Sequence, residues 1–242
     1  MEYEFIDKAV FFPKKGILVI GDLHLGYEYM IRETGSLMPA TQFRQTKDDI
    51  KNIFNIMNKK GYKLNKVIFL GDIKHFFGYN KGEKNLFLEL KSLIGKYINE
   101  ESIIVLKGNH EKMAEIADKK LVNYYVENEV AFIHGDIEIK EVFGKNIDYI
   151  VMGHLHPAIT LRDSQNIKAE KYKCFLTGKY KSKNFIILPS FLPLVEGVSL
   201  NEHLNDNQCI IPKKSLKNFN VYIIDGKNKV YKFGALKKLI KS

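Results

Sequence analysis

Cysteine is nearly absent. The chain of 242 residues has two, Cys174 and Cys209, too few for a disulfide framework and not at metal-binding spacing. No thiolate zinc site of the structural kind can be built from them, and a reducing interior is the expected setting. Long apolar runs are also missing. No stretch approaches the roughly 20 residues needed to cross a bilayer. The opening MEYEFIDKAV is acidic and lacks the apolar core of a secretion signal. These absences lead us to expect a soluble cytoplasmic protein with no membrane partner. No glycine-rich phosphate loop occurs, so an NTP-driven motor of that type is excluded. The sequence shows no domain linker, low-complexity tract or internal repeat.

Arginine is scarce as well. Of 38 basic residues only Arg32, Arg44 and Arg162 are arginine, and the rest are lysine. The net charge of +10 invites a polyanionic partner, yet lysine is a solvated point charge, whereas arginine forks onto phosphate. A lysine-rich composition also arises from genome bias or heat adaptation. Under either origin a positive surface favours a phosphorylated substrate.

Hydrophobic content of 45% and charged content of 27% are those of a globular protein, and the length suffices for a sizeable core. We expect a single domain over residues 1–242. Apolar runs ending in Gly-Asp or Gly-Asn recur. GILVIGDLHLG contains a strand over Ile17 to Ile20, KVIFLGDIKH one over Val67 to Leu70, and SIIVLKGNHE one over Ile103 to Leu106. Between the first two, Ile50, Ile53, Phe54 and Met57 repeat at helical spacing within Asp48 to Lys60, and Gly61 stops the run. Between the second and third, Asn85 to Ile98 repeats the pattern. Strands alternating with helices imply parallel pairing. LVNYY and VAFIHG then read as shorter strands in close succession. Residues 158–187 read as a lysine-rich β excursion around a polar turn, with strands over Ala158 to Arg162 and Tyr172 to Thr177. Asp225-Gly226 between apolar runs signals a hairpin.

The run ends carry the chemistry: Asp22 and His24, then Asp72, then Asn109 and His110, then His134, then His154 and His156. Five of the seven histidines lie there, leaving His75 and His203 outside. If the strands lie side by side their C-terminal ends share one edge, where open α/β sheets bind ligands. Imidazole and carboxylate together suit divalent ions. Asp72 could bridge two ions through its two oxygens, Asn109 could offer its amide oxygen, and such ions would lie roughly 3.5–4 Å apart. Taken singly, Asp22 and Asn109 are ordinary turn residues and His134 an ordinary buried histidine, and His203 has no functional role.

GDLH, the GD at 71–72, GNHE, HGD and GHLHP, in that order and each after an apolar run, resemble the five motifs of the calcineurin-like metallophosphoesterases. The resemblance spans residues 17 to 157. GDIKHFFG and LPSFLPLVEG narrow it toward the small ICC-like, SbcD-related archaeal and bacterial phosphoesterases. It implies an α/β four-layer sandwich, with two mixed β-sheets face to face and flanked by helices. It implies that Asp22, His24 and His156 bind one ion, that Asn109, His134 and His154 bind a second, and that Asp72 bridges them. His110 would face the scissile phosphate and the leaving group without binding metal. Manganese is the expected ion, with zinc, nickel or iron also able to bind. Many relatives carry a carboxylate or amide three residues after the bridging aspartate. Here that position is His75, open to reading as a donor to a ligand, a substrate contact or a plain loop residue.

The expected activity is metal-dependent hydrolysis of phosphodiester bonds, with DNA or RNA as the favoured substrate class. A small nucleotide or other small phosphoester is the alternative, and a non-catalytic interaction module on the same fold a third reading. The lysines at 168–183 are either a solvated face or a contact to nucleic acid. Larger SbcD-like nucleases dock an ATPase through additional C-terminal segments, and nothing in this sequence supports such a partner.

Overall fold

The computed structural model describes residues 1–33, 35, 41–76, 81–111, 115–163, 165, 167–204, 209–226 and 229–240. The chain divides into two compact units, Met1–Asn123 with Phe191–Leu194, and Tyr124–Ser190 with Val195–Ser242. Each holds one mixed sheet, so the architecture is α/β.

The first unit's sheet is built from β1 (Glu4–Ile6), β2 (Ala9–Phe12), β3 (Ile17–Ile20), β4 (Lys66–Phe69), β5 (Ile103–Leu106), β6 (Glu115–Ile116) and β7 (Lys119–Val122), in spatial order β1-β2-β3-β4-β5-β7-β6. All four residues of β2 and of β3 are buried, as continuous apolar strands must be when both faces are covered. β3, β4 and β5 run parallel, with Ile20 opposite Phe69 and Phe69 opposite Val105. Their C-terminal ends therefore stop at one level, and the loops after Ile20, Phe69 and Leu106 leave from one edge.

Helices α1 (Tyr27–Glu33), α2 (Gln42–Lys59) and α3 (Lys81–Gly95) complete this unit. Ile50, Ile53, Phe54 and Met57 of α2 are buried in its core with Phe87, Leu90 and Ile94 of α3. Each such side chain contributes about 1.5–3 kcal/mol through removal from water. α2 begins six residues before the Asp48 that periodicity alone suggests. Its first turn is anchored from a distance: the Gln42 N–H donates to Oε2 of Glu28, on α1, at 3.0 Å. The Thr41 side chain caps nothing, so no local signal marks the start. Gly61 ends the helix with φ of +68°, a left-handed conformation that glycine adopts without penalty.

The LVNYY segment does not form one strand. β7 ends at Val122 in the first unit, and β8 (Tyr124–Glu127) begins the second. Also in the second unit are β9 (Val130–Ile133), β10 (Tyr149–Met152), β11 (Pro157–Arg162), β12 (Ala169–Tyr180), β13 (Lys183–Ile187), β14 (Val198–Ser199), the short α4 (Lys213–Leu216), β15 (Asn220–Ile224) and β16 (Val230–Ala235). The sheet runs β14-β11-β12-β13-β10-β9-β8, with β15 pairing β12 and β16. β9, β10 and β13 are parallel, and Met152 lies opposite both Ile133 and Ile187. His134 and His154 thus follow strands that end together.

The lysine-rich segment is part of this sheet. Ala169 to Lys173 of β12 pair with β11, and the following residues pair with β15 and β13. Cys174, Phe175 and Leu176 are fully buried. Lys183 is buried too, and its ammonium donates to the carbonyls of Gly144 and Ile147 at 2.7 and 2.5 Å. The Asp225-Gly226 turn joins antiparallel β15 and β16, as the hairpin signal implies.

Glu28→Ala should strip the acceptor from the start of α2 and cost about 1 kcal/mol, whereas Glu28→Gln, which keeps an oxygen there, should cost less. Urea midpoints measure both; an Ala variant as stable as the parent would show that this contact does not set the helix start.

Candidate active site

In the first unit, hydrogen bonding between the loops continues past the strands. The Leu23 and His24 N–H groups donate to the Asp72 carbonyl at 3.1 and 2.9 Å, and the Leu25 N–H to that of Ile73 at 2.8 Å. This brings Asp22, His24 and Asp72 together, all buried. Oδ2 of Asp72 lies 3.8 Å from Nε2 of His24 and 3.9 Å from Nε2 of His110. Oδ1 of Asp72 accepts the His110 N–H at 3.0 Å. A Cβ on Gly108 would fall 2.1 Å from that Oδ1 and 2.5 Å from the Asp72 nitrogen, so only glycine can pass so close to the carboxylate. Asn109 is exposed at the end of the same loop.

One carboxylate to which the sequence reading gives no role organises these loops. Glu111 is buried. Its Oε2 accepts from the Asp72 and Gly108 N–H groups at 2.9 and 2.8 Å, and its Oε1 from the Lys74 N–H at 3.2 Å. The signal was the last letter of GNHE; nothing in composition or spacing tells a ligand from a residue that accepts backbone N–H groups.

His75 joins this group. Its ring centroid is 5.7 Å from that of His24, 5.4 Å from that of His110 and 4.8 Å from that of Tyr27. One nitrogen from each of His24, His75 and His110 lies within a sphere that a metal ion could share. Burial first, and the neighbouring His110 second, hold the His75 ring below the usual imidazole range. Its Nε2 meets Sδ of Met30 at 3.1 Å. The His75 carbonyl is 2.6 Å from Nδ1 of His110. A carbonyl only accepts, so that nitrogen carries the proton and Nε2 is left to face Asp72.

In the second unit His134 is buried and His154 half-buried. Nδ1 of His154 and Nε2 of His134 are 3.1 Å apart, with ring centroids at 4.8 Å. Two imidazole nitrogens so placed either share a proton or aim lone pairs at one ion. The His156 carbonyl accepts the Val198 N–H at 2.8 Å. Gly197, with φ of +92°, leaves room for it, because a Cβ there would meet the same carbonyl oxygen at 2.4 Å. His203 is exposed and belongs to neither group.

Left-handed backbone occurs at four of these residues, as it does in turns at Asp7, Ala117, Asp118, Asn128, Lys181 and Ser182. His24, Asp72, His154 and His156 have φ of 44°, 47°, 63° and 47°, a region costing other residues roughly 1–2 kcal/mol relative to glycine. Such conformations persist where the surroundings over-determine them, and they cluster at functional sites.

Parallel strands ending in buried Asp and His define a class, the metal-dependent hydrolases built on two mixed sheets. Residues 16–143 match the family model described as calcineurin-like phosphoesterase. The protein belongs to that family, and is a phosphoesterase of the hydrolase class whose members bind divalent metals. Among solved structures it is similar to the nuclease MPE of Pseudomonas putida, at 16% identity and a TM-score of 0.60, over 96% of this chain and 100% of that one. It also matches zinc-complexed wild-type Vps29 of Entamoeba histolytica, at 16% identity and a TM-score of 0.40 over 89% of this chain and 97% of that one. A third match is vacuolar protein sorting 29 of Cryptosporidium parvum, at 14% identity and a TM-score of 0.40 over 90% and 97%. At these identities the likeness to the Pseudomonas structure concerns the fold. No curated protein matches the sequence. Among the described residues no helix is long and apolar enough to cross a membrane.

Glu111→Gln should destabilise the first unit, because an amide N–H then faces backbone donors. Leaving such a donor unsatisfied costs about 1–3 kcal/mol. Chemical denaturation reads the loss; an unchanged midpoint would mean that the loops after β4 and β5 hold without this carboxylate.

Proposed function

We propose that the protein hydrolyses phosphodiester bonds with two divalent ions, manganese the most activating, and that nucleic acid is its natural substrate class. The observation that carries the metal reading is that Asp22, His24, Asp72 and His134, all buried, follow the ends of two parallel strand sets and lie within the motifs of the family. Asp22, His24 and His156 would hold one ion, Asn109, His134 and His154 the other, and Asp72 would serve both. The donors fit: carboxylate, amide oxygen and imidazole suit manganese, and zinc, nickel or iron as well. When bound, such a pair of ions supplies an acidified water and neutralises charge on phosphate oxygens.

The protein's own groups do the rest. Glu111 holds the Asp72 backbone N–H, the His110 N–H holds Oδ1 of its carboxylate, and Gly108 leaves room for that oxygen. His110 is tethered through Nδ1–H to the His75 carbonyl, so the proton it would give to the departing oxygen is the second one, carried on Nε2 of the imidazolium form. A positioned acid of this kind contributes roughly 10²–10⁴-fold.

For nucleic acid the support is the net charge of +10 and the exposure of Lys171, Lys179 and Lys181. The Pseudomonas structure of the same fold is that of a nuclease, which supports the same class. A specific observation favours the alternative, a small phosphoester. Lys171 lies 3.6 Å from Glu196, Lys181 2.5 Å from Glu138, and Lys173 donates to the Ser190 carbonyl at 2.8 Å. These cations have local partners already.

Asp72→Asn separates metal from fold, since Asn keeps the oxygen that accepts the His110 N–H. The variant should unfold like the parent, bind fewer than two manganese ions by calorimetric titration, and lose roughly 10²–10³-fold in turnover, as several kcal/mol of charge stabilisation implies. Two tightly bound ions in the variant with normal turnover would overturn the dinuclear reading.

Substrate class is decided by salt. Single-strand affinity should fall with a log–log slope of about −0.7 per phosphate contact, and replacing Lys171, Lys179 and Lys181 with glutamine should flatten it without changing hydrolysis of a bis-aryl phosphodiester. An enzyme that cleaves the aryl diester with manganese yet leaves single-stranded, duplex and nicked DNA and RNA intact would leave the small phosphoester as the substrate.

A further inference from the structure

Glu83 lies in the first turn of α3, and it is fully buried. Its Oε1 accepts two backbone N–H groups, from His75 at 3.0 Å and from Phe76 at 2.8 Å. The ammonium of Lys74, itself buried, donates to the Phe76 carbonyl from the same short loop. The peptides of residues 75 and 76 are therefore gripped through donors and acceptor alike. Room for the grip comes from Gly26: a Cβ there would lie 2.6 Å from Cγ of Glu83 and 2.7 Å from its Oε1. A buried carboxylate is costly unless N–H groups or cations satisfy it, and here its donors are the loop that carries the His75 carbonyl. That carbonyl, 2.6 Å from Nδ1 of His110, selects the tautomer of the His110 ring.

We propose that Glu83 is a positioning residue for His110: through the peptides of His75 and Phe76 it fixes the carbonyl that holds the His110 Nδ1–H, so that Nε2 is the atom that takes up a second proton and passes it to the leaving oxygen. Glu83 touches neither substrate nor reacting atoms. It acts as the middle of a relay of geometry, from the start of α3 to the His75 loop to the imidazole. The chemical use of Nε2 rests on the acid role proposed for His110; the tautomer does not.

Two measurements keep these apart. In metal-free protein, the two-bond ¹H–¹⁵N correlations of the His110 ring report its tautomer without any turnover. The parent should show a single Nδ1–H form. Glu83→Gln, which keeps an oxygen acceptor, should retain it. Glu83→Ala should give a mixture of tautomers, and Glu83→Asp, whose carboxylate is shorter by one methylene, an intermediate mixture. If the Ala variant fails to fold, the Asp and Gln pair carries the comparison. Gly26→Ala, which crowds Glu83, should move the ring in the same direction. An unchanged Nδ1–H form in folded Glu83→Ala or Glu83→Asp overturns the proposal.

In the loaded enzyme, Glu83→Ala should slow an alkyl phosphodiester by about a hundredfold, as ångström-scale misplacement does, and slow a nitrophenyl diester less, because nitrophenolate leaves without a proton. In a His110→Asn background the same change should add little, since residues acting as one unit are not additive. Equal slowing of both substrates by Glu83→Ala, with full additivity on His110→Asn, would assign Glu83 a purely structural role and overturn the proposal. If His110→Asn itself slows both substrates equally while the ring signals of the Glu83 variants shift as expected, the acid role of His110 fails and the positioning by Glu83 stands.

Discussion

Three parallel strands that end at one level constrain everything else in the first unit. Because Ile20, Phe69 and Val105 lie in register, the loops that follow must compete for the same small volume. Their backbone polar groups must also find partners there. The Asp72 carbonyl answers the Leu23 and His24 N–H groups, and Glu111 answers those of Asp72, Lys74 and Gly108. Once the loops are locked, the side chains of Asp22, His24, Asp72 and His110 have little freedom. The left-handed φ at His24 and Asp72 is the residue of that crowding, tolerated because the neighbouring hydrogen bonds over-determine it.

Much of this was legible from the residues. The buried strands read as apolar runs because both faces are covered, so Ile17 to Ile20 and Ile103 to Leu106 needed no context. The placement of acids and imidazoles at run ends was legible because parallel sheets put function at one edge. The start of α2 was not, since its cap is a glutamate on another helix. The break within LVNYY was not, because Asn123 alone is weak punctuation and the partners of the two halves lie in different units. Residues 158–187 read as peripheral because lysine dominates them, yet β12 lies within the sheet. Amphipathic lysines cover its strands with their stems while their heads find carbonyls or water. Glu111 and Glu83 were invisible as organisers, since a carboxylate that accepts backbone N–H groups has no spacing of its own.

The positive charge now has a more specific distribution. Lys183 and Lys173 spend their ammonium groups on backbone carbonyls, and Lys8 donates to Asp49 at 2.5 Å. Such lysines are structural donors: their charge stays in the net sum, but their ammonium hydrogens are engaged within the protein.

One short return of the chain bears on how the protein is made. Residues Phe191–Leu194 belong to the first unit, although nearly the whole of that unit precedes Asn123. Phe191 is fully buried in its core, its N–H donates to the Asp22 carbonyl at 2.9 Å, and the Lys8 ammonium sits 4.6 Å over its ring. During synthesis from the N-terminus, the first unit must wait for the ribosome to deliver that phenylalanine. Until then the peptide at Asp22 lacks the donor that pins it and the core lacks one of its largest side chains. The nascent chain thus holds an unfinished pocket while most of the second unit's strands emerge, an interval in which exposed apolar surface invites chaperone binding. The bond that pins the Asp22 carbonyl can therefore form only once residue 191 has been made, and not on completion of β3 itself.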